Sequence, residues 1–178
     1  MALPISVTAN CLFSKIASLS IVEDQNLFLN YWEQGGSVVN LPLAACCPKV
    51  VASMSLEVSV DENFIFVAGC DKMDVTEGRP IITALTFDSS LRQKALIHLS
   101  DVNMRNIFKL KRILSTKEDI LLASGFNAIS IVYFNPQMCI FQELKTLGGL
   151  HEGEIFDFCI YNDIIYSISG KDTYIHKY

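Results

Sequence analysis

Several features on which a functional assignment usually rests are scarce in this sequence. Only 19% of the 178 residues are charged, and 14 Lys and Arg face 19 Asp and Glu, which gives a formal net charge of -5. Basic residues are nowhere denser than at positions 109–112, so the chain lacks the cationic surface that neutralises nucleic-acid phosphates. Because 51% of the residues are apolar, intrinsic disorder is also excluded. We therefore expect a folded domain without a nucleic-acid partner.

Metal ligands and targeting signals are missing as well. The six cysteines contain no CxxC pair, and His98, His151 and His176 offer no ligand pair three to five residues apart, so neither a metal nor a cofactor is expected. Residues 1–14 lack the basic start of a secretory signal. These absences predict buried, reduced thiols and a cytoplasmic location, with a nuclear or cytoskeleton-associated one as the alternative.

The longest uncharged run, at residues 120–142, matches the length of about 20 residues that crosses a bilayer. Asn127, Asn135 and Pro136 interrupt it, and its apolar residues fall into two short β-branched clusters. This pattern is typical of a β-hairpin, so no transmembrane segment is expected.

A short pattern recurs along the chain: an acidic or Asn-containing turn, an apolar run, and then a glycine. Three copies align well, at residues 61–71, 118–127 and 162–172, and a weaker copy lies at 23–36. Each apolar run predicts a buried strand that ends at a tight turn. Further strands flank each copy, and the repeats start near residues 15, 51, 107 and 155. These intervals approach the ~40 to 45 residues of a four-stranded repeat unit.

The last repeat, residues 149–178, resembles a WD40 repeat. His151 stands at the Gly-His position, Ser167 and Ser169 lie in the middle strand, Asp172 lies in the turn, and Tyr178 takes the place of the tryptophan. The resemblance implies a structural hydrogen-bond network in which a buried carboxylate orients the histidine, and a hydroxyl and an aromatic donor complete it.

WD40 repeats form β-propellers, so the resemblance implies an all-β fold of about four four-stranded antiparallel blades, the last one incomplete. The expected blades are 15–50, 51–106, 107–150 and 151–178, all within a single propeller segment. Residues 91–99 also show helical spacing, but the repeat favours a strand at 95–99. Residues 1–14 either supply a strand that closes the last blade into a four-bladed ring, or the chain is part of a larger propeller. The family's usual count of about seven or eight blades favours the larger one, completed by a further propeller segment or a second copy.

The resemblance also implies a rigid, non-catalytic platform that binds other proteins as a scaffold or adaptor in a multiprotein assembly. Loops at 72–79 and 101–106 are the exposed candidates, because recognition usually resides in loops carried on a rigid framework. The candidate partner-binding residues are Lys72, Arg79, Arg105, Lys109, Lys111 and Arg112.

Two other function classes stay open. Lys109 and Lys111 alternate with Phe108 and Leu110, which predicts a strand with one charged, solvated face that an anionic lipid headgroup or an acidic peptide could use. His151, Asp172 and the two serines include the residue types of a hydrolytic triad. The same positions are accounted for by the structural network, so an enzyme with an unrecognised site is the weakest alternative, and no catalytic residue is predicted.

Overall fold

The computed structural model describes residues 6–10, 15–22, 26–33, 39–72, 74, 77–88, 91–114, 116–149, 151–162, 164–172 and 175–177. Within these ranges the chain is built from β-strands, with one short helix, α1 (Leu43–Cys46), and a 3₁₀ turn at Val102–Met104. The expected all-β class is confirmed.

The described strands form four antiparallel sheets, and within each sheet the strands lie side by side in chain order. The first sheet contains β1 (Ser6–Asn10), β2 (Lys15–Val22), β3 (Asn26–Glu33) and β4 (Val39–Pro42). The second contains β5 (Ala52–Val58), β6 (Phe64–Cys70), β7 (Pro80–Thr86) and β8 (Gln93–His98). The third contains β9 (Lys109–Arg112), β10 (Asp119–Ser124), β11 (Ala128–Asn135) and β12 (Ile140–Gly148). The fourth contains β13 (Ile155–Tyr161), β14 (Ile164–Ser169) and β15 (His176–Lys177).

The first sheet begins one strand earlier than the sequence indicates. β1 pairs with β2 from Ser6 opposite Ser20 to Asn10 opposite Ile16, instead of completing the last sheet. Lys15–Val22, which we expected to open the first blade, is therefore its second strand. The hairpin partner is adjacent in sequence, so this pairing costs little loop-closure entropy. The remainder of residues 1–14 lies outside the described residues.

For residues 91–99 the sequence allowed a helix, although the repeat favoured a strand at 95–99. β8 pairs with β7 and places Ala95 opposite Ala84, so this segment is a strand and the competing helix does not form. The uncharged run at 120–142 folds into β10, β11 and the start of β12. No helix among the described residues has the length and apolarity needed to cross a bilayer.

Three apolar clusters form the core, and two of them join successive sheets face to face. The first covers one face of the second sheet with Cys46, Cys47 and Val50, which lie on the segment arriving from the first sheet. The second joins the second and third sheets around four phenylalanines, Phe64, Phe66, Phe134 and Phe141, whose ring centroids lie 4.8–5.9 Å apart. The third joins the third and fourth sheets around Leu122, Ile129, Ile155 and Phe158.

The first strands of successive sheets are also neighbours, β1 with β5, β5 with β9 and β9 with β13. These four are the inner strands. Among the described elements the first and fourth sheets share no extensive contact.

Every inner strand begins at the same end of its sheet, which we call the upper end. Because the strands alternate in direction, the loop that leads into each sheet and the turn between its second and third strands both lie there. The described residues at the upper end of the second to fourth sheets are 43–51, 71, 72, 74, 77–79, 99–108, 125–127, 149, 151–154 and 170–172. The described turn residues 59–63, 113, 114, 116–118, 136–139 and 162 lie at the opposite, lower end.

Candidate functional site

A buried histidine organises the upper end of the fourth sheet. The side chain of His151 is fully buried, and its Nδ1 lies 2.7 Å from Oδ2 of Asp172. Its Nε2 lies 2.7 Å from Oγ of Ser167. Because a carboxylate only accepts hydrogen bonds, Nδ1 donates to Asp172. In the neutral imidazole, Nε2 then accepts a hydrogen bond from the Ser167 hydroxyl. The structure thus brings together three of the five residues that the sequence assigned to this network.

The other two residues are not placed in it. Oγ of Ser169 accepts a hydrogen bond from the N–H of Lys171 at 3.3 Å, within the turn that follows β14. Tyr178 lies outside the described residues.

The network also links the third and fourth sheets. The N–H of His151 donates to Oδ1 of Asn127 at 3.0 Å, and the N–H of Asn127 donates to the carbonyl of Gly153 at 2.9 Å. Asn127 has a φ of 56°, a left-handed conformation that asparagine tolerates better than most residues. The sequence predicted Asn127 as a turn residue but gave no sign of this contact between sheets.

The Ser167, His151 and Asp172 triad is enclosed by the protein. Ser167 is 1% exposed and His151 is 5% exposed. A catalytic nucleophile must be reachable by its substrate, so burial favours the structural role for these residues. Within the described residues, no group of three or more His, Cys, Asp or Glu side chains is placed to hold a metal ion.

The basic residues of β9 are engaged between sheets. Nζ of Lys111 lies 3.1 Å from Oδ1 of Asp157 and donates to the carbonyl of Phe158 at 2.6 Å, and Nζ of Lys109 lies 3.8 Å from the same Asp157 oxygen. Burial opposes the ionisation of Asp157, but the hydrogen bonds from Lys111 and the Phe158 N–H, with both lysine charges, hold its pKa below the ordinary value. The predicted charged, solvated strand face is therefore a contact with the fourth sheet.

Arg112 lies on the opposite face of the same strand and contacts the second sheet. Its Nε donates to the carbonyl of Val58 at 3.1 Å, and its backbone N–H donates to Oε2 of Glu57 at 3.1 Å. Alternation along β9 thus sends Lys109 and Lys111 towards one neighbouring sheet and Arg112 towards the other.

The remaining three basic candidates lie on upper-end loops. Lys72 is exposed and pairs with Glu77 at 3.6 Å. Arg79 is exposed, and its backbone N–H donates to Oδ1 of Asp71 at 2.7 Å, which closes the base of the 71–79 loop. Arg105 lies on the loop between the second and third sheets.

Arg105 belongs to an exposed group that we call the cation–aromatic site, formed by Arg105, Phe126 and Lys171. The Arg105 guanidinium lies 4.6 Å from the centroid of the Phe126 ring, and the Lys171 ammonium lies 6.0 Å from it. Both distances fall within the range of a cation–π interaction. Sequence analysis singled out Arg105 but missed Phe126 and Lys171, although an aromatic residue in a polar turn was a usable signal.

The loop that carries Arg105 is held rigidly. Met104 is fully buried, and its carbonyl accepts the N–H of Asn106 at 2.7 Å and the N–H of Phe126 at 2.9 Å. Gly125 lies against the same loop so closely that an added Cβ would be 2.1 Å from Cγ of Met104. Arg105 itself has a φ of 61°. Fixed backbone on both sides of the site reduces the entropy that binding would cost.

A cleft of about 280 Å³ lies at the lower end, between the second and third sheets. Its lining includes Asp61, Lys117, Glu118, Asp119 and Tyr133. Asp119 is 3% exposed and accepts the N–H of Val60 at 2.6 Å. Burial raises the pKa of Asp119 to about 6, against the lowering effect of the Val60 hydrogen bond, and the nearby charge of Asp61 adds to the rise. The sequence identified Asp119 only as a turn residue.

Comparison with protein-family models and with curated proteins yields no match. Among solved structures, a putative 6-phosphogluconolactonase from Bacteroides uniformis ATCC 8492 matches 98% of this chain and 50% of its own, with a TM-score of 0.63 and 14% identity. The crystal structure of Saccharomyces cerevisiae Sqt1 matches 90% of this chain and 41% of its own, with a TM-score of 0.58 and 10% identity. At these identities the likeness concerns the fold alone. The chain thus has the β-propeller fold that the sequence predicted, and it spans half or less of the length of these two propeller chains.

Proposed function

We propose that this chain is a WD40-like propeller segment that binds other proteins without catalysis, as a scaffold or adaptor in a multiprotein assembly. The WD40-like character is supported by the bonds of His151 to Asp172 and Ser167, which have the pattern that the sequence resemblance implies. The observation that carries the binding role is the exposed cation–aromatic site on rigid upper-end loops.

The chemistry of this site suits a protein partner. Arginine and aromatic side chains supply much of the binding energy in protein interfaces, because they combine large contact area with directed polar groups. The Arg105 guanidinium presents a planar donor fork that fits a carboxylate, and Lys171 adds a second cation over the same ring. We therefore expect the partner to offer an acidic side chain to Arg105. Lys72 and Arg79, on the neighbouring 71–79 loop, would extend this surface.

The two other function classes receive less support. Binding to an anionic lipid surface requires Lys109, Lys111 and Arg112 to be free, whereas all three contact neighbouring sheets. A hydrolase requires access to Ser167, which is buried. A cytoplasmic location and the absence of a nucleic-acid partner remain predictions from the sequence.

Affinity capture from the native cells, with quantitative mass spectrometry, tests the proposal. The test variant combines Arg105→Ala with Lys171→Ala. The matched control combines Lys94→Ala with Lys145→Ala, which removes the same charge from exposed positions on β8 and β12. We expect one reproducible set of proteins with wild type and control, reduced about tenfold in the test variant, the change that a loss of about 1.4 kcal/mol produces.

Equal recovery of that set by all three proteins would refute the assignment to the cation–aromatic site. Recovery of chaperones alone by the folded wild type would refute the scaffold role itself. Thermal unfolding of each variant shows whether lost binding reflects a lost fold.

A further inference from the structure

The lower-end cleft contains a buried carboxylate with one oxygen left to accept hydrogen bonds. Asp119 is 3% exposed, and its Oδ1 accepts the N–H of Val60 at 2.6 Å. Among the described residues no donor is hydrogen-bonded to Oδ2 of Asp119, and this atom is not sealed from solvent. A buried charge that lacks hydrogen-bond partners costs free energy, and an ionised carboxylate has room for about four of them. A donor that enters the cleft would therefore satisfy Asp119.

The other charges in the lining make the cleft negative. The carboxylates of Asp61 and Glu118 lie in it beside Asp119, against one ammonium group, that of Lys117. Asp61 lies close enough to Asp119 for its charge to oppose the ionisation of Asp119. A cleft with charges of one sign and low-dielectric walls focuses the electric field and attracts the opposite charge. The cleft therefore favours a cationic ligand.

Side-chain hydrogen bonds fix the turns beside the cleft. Oδ1 of Asp61 accepts the Ser59 hydroxyl at 2.7 Å and the N–H of Asn63 at 3.0 Å, and Nδ2 of Asn63 donates to Oδ2 of Asp61 at 2.8 Å. In the turn after β11, Oδ1 of Asn135 accepts the N–H of Gln137 at 3.0 Å. The Asp61 carboxylate is thus held in place, so a ligand would not have to order these turns when it binds.

We propose that the lower-end cleft binds a guanidinium group, as carried by an arginine side chain, with Asp119 as the main acceptor. A guanidinium presents five N–H donors in one plane, so it can donate to Oδ2 of Asp119 and keep donors for Asp61 or Glu118. It is more weakly hydrated than an ammonium group and loses less on entering a cleft between two sheets.

The size of the cleft fits one long side chain. Its volume of about 280 Å³ lies just below the ~300 to 1,000 Å³ of sites that enclose a whole small molecule. The proposal adds a second site to the scaffold function and is independent of the cation–aromatic site, which lies at the upper end.

Titration of the 178-residue chain with a blocked tripeptide, acetyl-Gly-Arg-Gly-amide, tests the proposal by amide NMR. The signal of the Val60 N–H, which is bonded to Asp119, should shift and saturate at pH 7.5. The same peptide with citrulline in place of arginine keeps the shape and loses the charge. It should bind at least about tenfold more weakly, because a charge-assisted hydrogen bond is about twice as strong as a neutral one.

Butylguanidinium distinguishes the two sources of the group. Binding as tight as that of the arginine peptide would support the proposal with a free guanidino compound as ligand. Weaker binding than that of the peptide would support it with an arginine of a protein partner.

Asp119→Asn should weaken binding of the arginine peptide at least about tenfold, the change that a loss of about 1.4 kcal/mol produces. The matched control, Glu152→Gln, removes a carboxylate charge from an exposed position at the upper end and should bind as wild type does. The Arg105→Ala and Lys171→Ala variant should also bind as wild type does, which separates this test from that of the cation–aromatic site.

The pH dependence of binding gives a second measurement on the wild type. Because burial raises the pKa of Asp119 to about 6, a proton competes with the ligand, and the arginine peptide should bind about tenfold more weakly at pH 5 than at pH 7.5. The other charged groups around Asp119 are Glu57 on β5, Asp61 on the 59–63 turn, Arg112 on β9, and the neighbouring Lys117 and Glu118. Asp61 stays ionised over this range, because its hydrogen bonds lower its pKa although burial opposes this.

Equal binding of the arginine and citrulline peptides would overturn the proposal, since charge would then play no part. Undiminished binding to Asp119→Asn would also overturn it, and so would the absence of a saturable shift at Val60. The citrulline and pH comparisons use the wild type alone, so they decide the matter even if Asp119→Asn does not fold.

Discussion

His151 and Asp172 are joined at 2.7 Å across 21 residues of sequence, through a histidine side chain that is fully buried. Through this one ring the loop leading into the fourth sheet is attached to β14 and to the turn that follows it. The backbone of the same histidine is bonded to Asn127 of the third sheet. The pair therefore fixes both the fold of the last sheet and its position on its neighbour.

Replacing Asp172 by alanine should lower the free energy of unfolding by about 1 to 3 kcal/mol, because the buried Nδ1–H of His151 would lose its acceptor. Asp172→Asn keeps an acceptor oxygen at this position, so it should lose less stability than Asp172→Ala. Urea unfolding curves of the three proteins give the comparison. An Asp172→Ala protein as stable as wild type would argue against the network.

Asp119 should make stability depend on pH in an unusual direction. Its pKa is raised from 3.8 to about 6 on folding, so the folded state binds the proton more tightly than the unfolded state does. The contribution of Asp119 to the free energy of unfolding is therefore most favourable below about pH 4. It is lost as the pH rises through 6. Asp119→Asn, which carries no charge at any pH, should be more stable than wild type at pH 7.5, by on the order of 1 kcal/mol after allowance for solvent screening.

The difference between these two proteins isolates Asp119 from the other carboxylates. The hydrogen bonds around Asp61, Glu143 and Asp157 lower their pKa values although burial opposes this, and their contributions are lost on acidification. Wild type and Asp119→Asn share those groups. The stability advantage of Asp119→Asn over wild type should therefore shrink as the pH falls from 7.5 to 5. An advantage that is constant over this range would contradict the assignment. Glu118→Gln, at the exposed neighbouring position, is the control.

Gly125 should not tolerate a side chain. An added Cβ would lie 2.1 Å from Cγ of Met104 and 2.4 Å from the carbonyl oxygen of Asn106, and the second contact is with backbone that cannot rotate away. We expect Gly125→Ala to cost about 3 kcal/mol, at the upper end of the overpacking range. Gly148→Ala meets only Asp101 Oδ2 at 4.0 Å and should be nearly neutral. Equal melting temperatures for the two variants would disprove the close approach.

Phe134 should be the most sensitive position between the second and third sheets. Its ring is fully buried and packs edge to face on Phe64 and Phe66, with both centroids at 5.1 Å. Phe134→Ala should cost about 3 to 5 kcal/mol through the lost contacts and the cavity left behind. Phe156→Ala removes a ring of the same size that is 51% exposed, and should cost much less. Chemical denaturation of both variants tests this ranking, and a reversed order would contradict the placement of the core.

The sequence predicted most of the fold because its strongest signals are local. The runs that became β6, β10 and β14 are apolar, end at glycine and are bordered by Asp or Asn, so their strand character depends only on their own residues. Ser6–Asn10 has the sequence SVTAN, which is too polar to signal a strand, and its pairing partner decides its structure. For this reason the predicted start of the first sheet, at residue 15, was wrong, and the sheet begins with β1.

The candidate site was harder to predict because exposure depends on distant residues. Alternation along β9 correctly separates Lys109 and Lys111 from Leu110, but it does not show whether the charged face meets water or another sheet. The deciding residue, Asp157, is 46 positions further along the chain than Lys111. Likewise, the ring that holds Arg105 comes from the turn after β10, and neither segment alone shows that the two meet.

The contrast between pairing within sheets and pairing between sheets bears on how the chain folds. Strands within each sheet are neighbours in sequence, whereas sheets are joined by apolar faces and a few bonds such as Leu110 N–H to Ser55 Oγ at 3.0 Å. Each sheet can therefore assemble from its own hairpins before it docks, and loss of a terminal sheet exposes one face without disrupting the others' strand ladders. In this respect the chain resembles a short repeat protein, in which each unit contacts only its neighbours. Amide hydrogens of the second and third sheets, which have a neighbour on each side, should then exchange with solvent last.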